Sequence, residues 1–419
     1  MRIRTQLPTH RRLCSALTLA MCLLAGTLVT GTPTSHAADD PRAFMHGIGT
    51  ARAPDGAHYI FYSASGLPPR GADADGSWPH DVYVSTWQPA SGTLSAPQTF
   101  ISRPEAQEPV SVAQHANGTI MLTFEDGFDA RDVLTQRFGL YGQRLEPIKA
   151  YPQDILSGGH SGHIAAVADG FVVFYSEGWV PGGGVDNLGS GDNVHAAFLD
   201  TRGRIIRHVD VASGKRAWWP VLAGAPDRAL LVWQQFVRGR TDASLHAALM
   251  QPATGKLVPL GRLLDKLNYY TYQVAWMPAV NRFLLTGTRQ GDQGFARLIS
   301  PDGKILAQAD CLPATVREAE IMVRDRQALI PAAQGQVISV DIGEQDALHI
   351  TTLSLDARWG TTGTLGLPGP DQGVTWFTLT EEGMRHYLQK AALSDEAQTG
   401  KEPARPLSCA TTEAAASAQ

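Results

Sequence analysis

Charged residues are sparse in this chain. Asp, Glu, Lys and Arg make up only 18% of its 419 residues. No stretch repeats apolar residues at the helical period over a useful length, which argues against a helical bundle or a helical solenoid. Long apolar runs are missing too: after residue 38 nothing reaches the ~20 residues needed to span a bilayer. Four cysteines are too few for a disulfide scaffold. What is plentiful is Gly, 42 residues, and Pro, 26, the punctuation of turns.

Residues 1–38 read as a signal peptide. Arg2, Arg4, Arg11 and Arg12 form a basic start, an apolar stretch runs from Leu13 to Val29, and Ser35-His36-Ala37-Ala38 offers small residues for cleavage. The product is therefore expected in a periplasm or outside the cell. The leader carries four Arg and no acid, leaving 31 basic against 40 acidic groups, a mature charge of −9. Such a surface argues against nucleic acid and anionic membranes as partners. Cys14 and Cys22 leave with the leader. Cys311 and Cys409 remain, and an exported pair favours a bridge, the second lying in a low-complexity tail over 396–419.

Seven short turns punctuate the rest: Asp55, Asn117, Asp169, Asp227, Asn281, Asp325 and Asp371, spaced 44 to 62 residues apart. Asp and Asn suit tight turns because they tolerate left-handed angles or bond to their own main chain. An apolar run precedes each turn and a β-branched or aromatic run follows it, as in IAAV (164–167) and FVVFYS (171–176). A third and a fourth run complete most units. The pattern predicts an all-β chain: a seven-bladed β-propeller of four-stranded antiparallel blades spanning 39–395 as one monomeric domain. The blades are expected at about 44–102, 103–156, 157–213, 214–266, 267–312, 313–355 and 356–395.

Long insertions fall where the second strand of a unit meets the third, at 64–80, 126–135, 178–193 and 236–244. In a propeller those connections share a face with the start of each innermost strand, so one face is built up. The residues starting the inner strands differ in every unit: His46; Glu108; His160 and His163; Arg216, Trp218 and Trp219; Tyr270 and Tyr272; Arg317, Glu318 and Glu320. Unlike groups around a ring of near-copies are what a ligand site at the central channel would need. Trp179, Trp218, Trp219 and Tyr272 suit stacking on sugar rings. Glu108, Glu177, Glu320, His163 and Tyr272 are candidate acid–base groups for a glycoside hydrolase or a polysaccharide lyase. His195, His246 and His386 share a column with Tyr and Phe and read as packing. His58, His80, His115 and His349 stand singly. No cofactor is implied beyond calcium, for which Asp73 and Asp75 in one loop and Asp186 and Asp192 in another are candidate ligands.

The repeat as a whole resembles secreted bacterial β-propellers over about residues 44–395. Asp371-Gln372-Gly373-Val374-Thr375-Trp376 resembles the Asp-box of sialidases, S-x-D-x-G-x-T-W, with Gly369 in place of the Ser. No other unit carries the box. The resemblance implies a propeller and does not imply sialidase activity. The expected function is binding of a glycan or peptide on the loop-rich face; a carbohydrate-active enzyme at the same place is the alternative.

Overall fold

The computed structural model describes residues 45–70, 79–104, 106–126, 135–177, 193–214, 216–236, 243–360, 363–389 and 405–406. Among them there is no α-helix; almost everything is antiparallel sheet.

The first sheet holds β1 (Met45–Arg52), β2 (His58–Ala64) and β3 (Asp81–Gln88). Its outer strand is split into β4 (Thr93–Leu94) and β5 (Gln98–Ile101), both pairing β3. Pro97 separates the two, and proline cannot donate to a ladder. The second sheet runs β6 (Gln107–Gln114), β7 (Ile120–Asp126), β8 (Thr135–Tyr141), β9 (Pro147–Ser157). The third runs β10 (Gly159–Val167), β11 (Gly170–Glu177), β12 (Asn193–Asp200), β13 (Ile205–Ala212). A seven-stranded sheet follows, from β14 (Ala217–Ala225), β15 (Arg228–Phe236) and β16 (Ala243–Gln251) through β17 (Lys256–Met277) to β18 (Arg282–Arg289), β19 (Gln293–Ile299) and β20 (Ile305–Leu312). The 22-residue β17 serves two units: its first half pairs β16 and its second half pairs β18. Next come β21 (Met322–Arg324), β22 (Gln327–Ala332), β23 (Gln336–Ile342) and β24 (Leu348–Ser354), then β25 (Thr364–Pro368), β26 (Val374–Thr380) and β27 (Gly383–Gln389). That last sheet has three strands among the described residues.

Each of the seven expected turns joins the first strand of a unit to its second. Asp55 Oδ1 accepts from the Ala57 N–H at 3.1 Å, and Asn117 Oδ1 from the Thr119 N–H at 2.9 Å. Asn281, Asp325 and Asp371 hold the left-handed angles their side chains tolerate, with φ of 57°, 48° and 52°. The Asp-box-like segment is one of these turns, and its Trp376 is buried, donating to Gln389 Oε1 at 3.0 Å.

Innermost strands pack in sequence, β1 on β6, β6 on β10, β10 on β14 and β14 on β17, then β17 on β21, β21 on β25 and β25 on β1. Apolar layers fill the space between neighbouring sheets. One joins Met45, Ile48 and Tyr62 of the first sheet to Leu365, Leu367 and Phe377 of the last. An outer-strand aspartate recurs beside a third-strand Arg or His: Asp154 with Arg137, Asp210 with His195, Asp310 with Arg297.

The tail departs from its low-complexity reading at one point. Arg405–Pro406, here β28, pairs with Thr351 and Thr352 of β24, whose outer edge would otherwise lack a partner.

Candidate functional site

The strand ends from which the long connections leave lie beside the inner-strand starts, at one end of the sheets. Met45 pairs with Ala64, Gln107 with Asp126, Gly159 with Glu177 and Ala217 with Gln235. Each second strand therefore ends, and its insertion leaves, beside the first residue of an inner strand. The turns at the opposite end are short.

One backbone device repeats at this end. Between His46 and Ile48, Glu108 and Ser111, His160 and His163, and Trp218 and Val221, the inner strand carries an extra residue relative to its partner. Such bulges bend the strand and re-aim side chains. Gly47, Ser161 and Trp219 absorb the kink in left-handed conformations, with φ of 73°, 54° and 50°. A Cβ on Gly47 would stand 2.7 Å from the Val110 backbone, so this position admits only glycine.

The bulges turn unlike side chains into the hub, where they touch. The His46 ring places Nδ1 3.5 Å from Glu108 Oε2 and Nε2 3.3 Å from Glu318 Oε2. His80 Nε2 reaches the same Glu108 oxygen at 3.2 Å. The Trp219 indole stacks on His46 at 6.0 Å between centroids and meets His163 edge-on at 5.3 Å. Tyr272 donates its hydroxyl proton to the Trp219 carbonyl oxygen. His160 packs against Trp218 at 4.7 Å. Glu125 Oε2 accepts from the Ser161 N–H at 2.8 Å, and Gln136 Oε1 from the Gly162 N–H at 3.0 Å.

Burial and charge divide these groups. His46 is pushed up to about 9: burial opposes its charge, but Glu318 and Glu108 outweigh it. His160 falls to about 3 through burial alone. His163 falls to about 4, burial outweighing the pull of Glu318. Glu320 is half-buried, and loss of water around its carboxyl raises it to about 7. Near neutral pH His46 is thus an imidazolium, whereas His160 and His163 are neutral imidazoles.

Two expectations need correction. Trp218, Trp219 and Tyr272 are 3%, 2% and 1% exposed, so they pack inside the hub and offer no open platform to a sugar ring. Glu177 does not join the hub: it binds His195, whose other ring nitrogen lies 2.9 Å from Asp210 Oδ1. Its backbone neighbours the inner strand, but its side chain takes the opposite face, as alternation along a strand requires.

Among the other expected site residues, Arg216, Arg317, His163 and Glu320 remain half-buried at the inner-strand starts. Arg317 Nε stands 3.6 Å from Glu318 Oε1. The side chain of Tyr270 lies outside the described residues, as do Trp179, Cys409 and all four candidate calcium ligands, Asp73, Asp75, Asp186 and Asp192. Among the described residues no group of three His, Cys, Asp or Glu is arranged to hold a metal ion. His80 was not foreseen. It stands alone in the sequence, and only the return of the β2–β3 connection brings it onto Glu108. A cleft lined by Tyr62, Leu67, Pro68 and Met384, between the first and last sheets, shares no residue with this cluster.

No protein-family model matches the sequence, and no curated protein matches it. Solved structures do. The WD40 domain of Toxoplasma gondii coronin superposes with a TM-score of 0.51 at 7% identity, covering 82% of this chain and 80% of that one. A Kuenenia stuttgartiensis hydrazine synthase chain gives 0.49 at 13% identity, over 84% and 97%. Penicillium chrysogenum α-L-arabinanase complexed with arabinobiose gives 0.42 at 11% identity, over 74% and 93%. At such identities the coronin likeness speaks to fold alone: the chain is a β-propeller. No helix among the described residues is long and apolar enough to cross a membrane.

Proposed function

We propose that the chain is an exported, monomeric propeller of seven units closed into a ring, which binds a glycan or peptide on its loop-bearing face. The observation that carries this is the coincidence of four long insertions with the inner-strand starts at one end of the sheets. The apolar layer shared by the first and last sheets supports closure, and the two halves of β17 support counting its sheet as two units.

The filled hub changes where the ligand sits. With Trp219, His46 and Glu108 nearly sealed from water, a ligand lies over the hub rather than threading it. Half-buried Arg216 and Arg317 are the cations it would meet, and they suit a carboxylate or hydroxyl-rich group. Removal of the leader at residue 38 and a bridge from Cys311 to Cys409 belong to the same reading. The bridge is supported by Cys311 not being a free thiol and by β28, which brings the tail to the sixth unit three residues before Cys409.

The test is a binding screen of the mature protein against neutral glycans, uronate-containing glycans and peptides. One class should bind, and Arg216→Ala should weaken it about tenfold or more, the scale of a lost charge-assisted hydrogen bond, with Tm unchanged. Binding by none of the three classes would sink the proposal. A second reading, a carbohydrate-active enzyme, draws on the altered titration of His163 and Glu320, since such groups gather at catalytic sites. New reducing ends or unsaturated products, abolished by His163→Ala or Glu320→Gln, would establish it.

A further inference from the structure

We propose that His46 is an ionic keystone: a single imidazolium that fastens the loop-side ends of three sheets to one another and anchors the first long connection. Its two ring nitrogens face carboxylates from two other sheets, Glu108 on β6 and Glu318 on the segment before β21. His80, the last residue before β3, reaches the same Glu108, and its carbonyl oxygen accepts from the Gln107 N–H at 2.8 Å. The connection that begins at Ser65 is thereby tied back to the hub.

Among the described residues, a group of charged and titratable side chains surrounds His46. Glu108 and Glu318 flank it, His80 shares Glu108, Arg317 lies beside Glu318, and His163 meets the far edge of the Trp219 ring that covers His46. His46 is 6% exposed, and each of its ring nitrogens lies within ion-pair distance of a carboxylate. It therefore has nothing left to offer a ligand. What it does offer is two N–H donors, and only the cation has both. A neutral imidazole would donate to one carboxylate and turn a lone pair on the other, leaving a buried charge uncompensated.

The raised pKa of about 9 agrees with this geometry. The sign follows from linkage. An ordinary unfolded His loses its proton near 6.5, while the folded one keeps it to about 9. The keystone's stabilisation is fully present below about 6.5 and is lost as pH rises towards 9.

Thermal unfolding of the mature protein between pH 6 and 10 tests the proposal. Wild type should lose Tm progressively above about pH 6.5. His46→Gln should lower Tm at pH 6 by about 5 °C or more, as removal of one partner of a buried ion pair does, and should flatten the alkaline limb. Glu318→Gln, which keeps shape and volume, should move that limb to lower pH by about a unit, because one of the two attractions holding the proton is gone. The double variant should be no less stable than His46→Gln alone. A Glu318→Gln protein whose alkaline limb coincides with wild type would overturn the proposal, and so would strict additivity of the two substitutions. Should His46→Gln fail to fold, the Glu318→Gln titration decides.

Discussion

His160 and His163 sit three residues apart, yet neither is an imidazolium near neutrality, because burial among Trp rings and sheet ends strips away the water that would solvate the charge. The sign is opposite to that of His46. Their folded pKa values, about 3 and about 4, lie below the unfolded value of about 6.5. Between those limits the unfolded chain binds protons that the folded hub refuses. Stability from this pair is whole above about pH 6.5 and drains away as pH falls towards 4. Each unit of separation is roughly 1.4 kcal/mol, so the loss reaches several kcal/mol. Chemical denaturation at pH 7, 5.5 and 4.5 measures it. His160→Gln, which cannot titrate, should reduce the slope; an unchanged slope would mean His160 is open to water.

At the scale of the element, the bulge is the unit of design. Gly47 carries the sharpest constraint, being left-handed and pressed against the β6 backbone. Gly47→Ala is expected to cost at least about 2 kcal/mol, since it combines backbone strain with a clash that no rotamer relieves. Equilibrium denaturation checks this, and a change under about 0.5 kcal/mol would mean that β1 slides to make room. Asp371→Gly, in an open turn with φ of 52°, serves as the control and should be close to neutral.

The strands themselves were legible because period-two apolar runs and Asp or Asn turns are local signals. The column of unlike residues at the inner-strand starts stands out because the turn-marked repeats align them. The bulges were not legible, although Gly47, Pro109, Gly162 and Pro220 mark them in hindsight, one Gly or Pro just after each polar start. Neither were the contacts. His80 lies 28 residues before Glu108, in a different unit, and no pattern along the chain announces that the two touch. Burial was hidden for the same reason: an aromatic at a channel mouth and an aromatic plugging it look identical in one dimension. The recurring outer-strand aspartate went unread because its third-strand partner is Arg at 137 and 297 but His at 195.

For the whole molecule, the tail is the feature to test. After β27 the chain reaches the outer edge of β24 at Arg405–Pro406. A bridge between Cys311 and Cys409 would close a loop of about a hundred residues, worth up to about 4–5 kcal/mol in the chain-entropy estimate. Peptide mapping without reductant should recover the two cysteines joined, and Cys409→Ser should lower Tm. Two free thiols in the oxidised mature protein would remove the tail from the stability account.

Because β1, β6, β10 and β14 carry the same one-residue bulge whatever side chain follows it, this centre works like a keyring: the loops of metal are alike and only the keys differ. A substitution at position 160 or 218 changes what the centre holds while the bulge beside it stays. Such a centre can acquire a new chemistry one residue at a time, provided that the cation holding it together is replaced last.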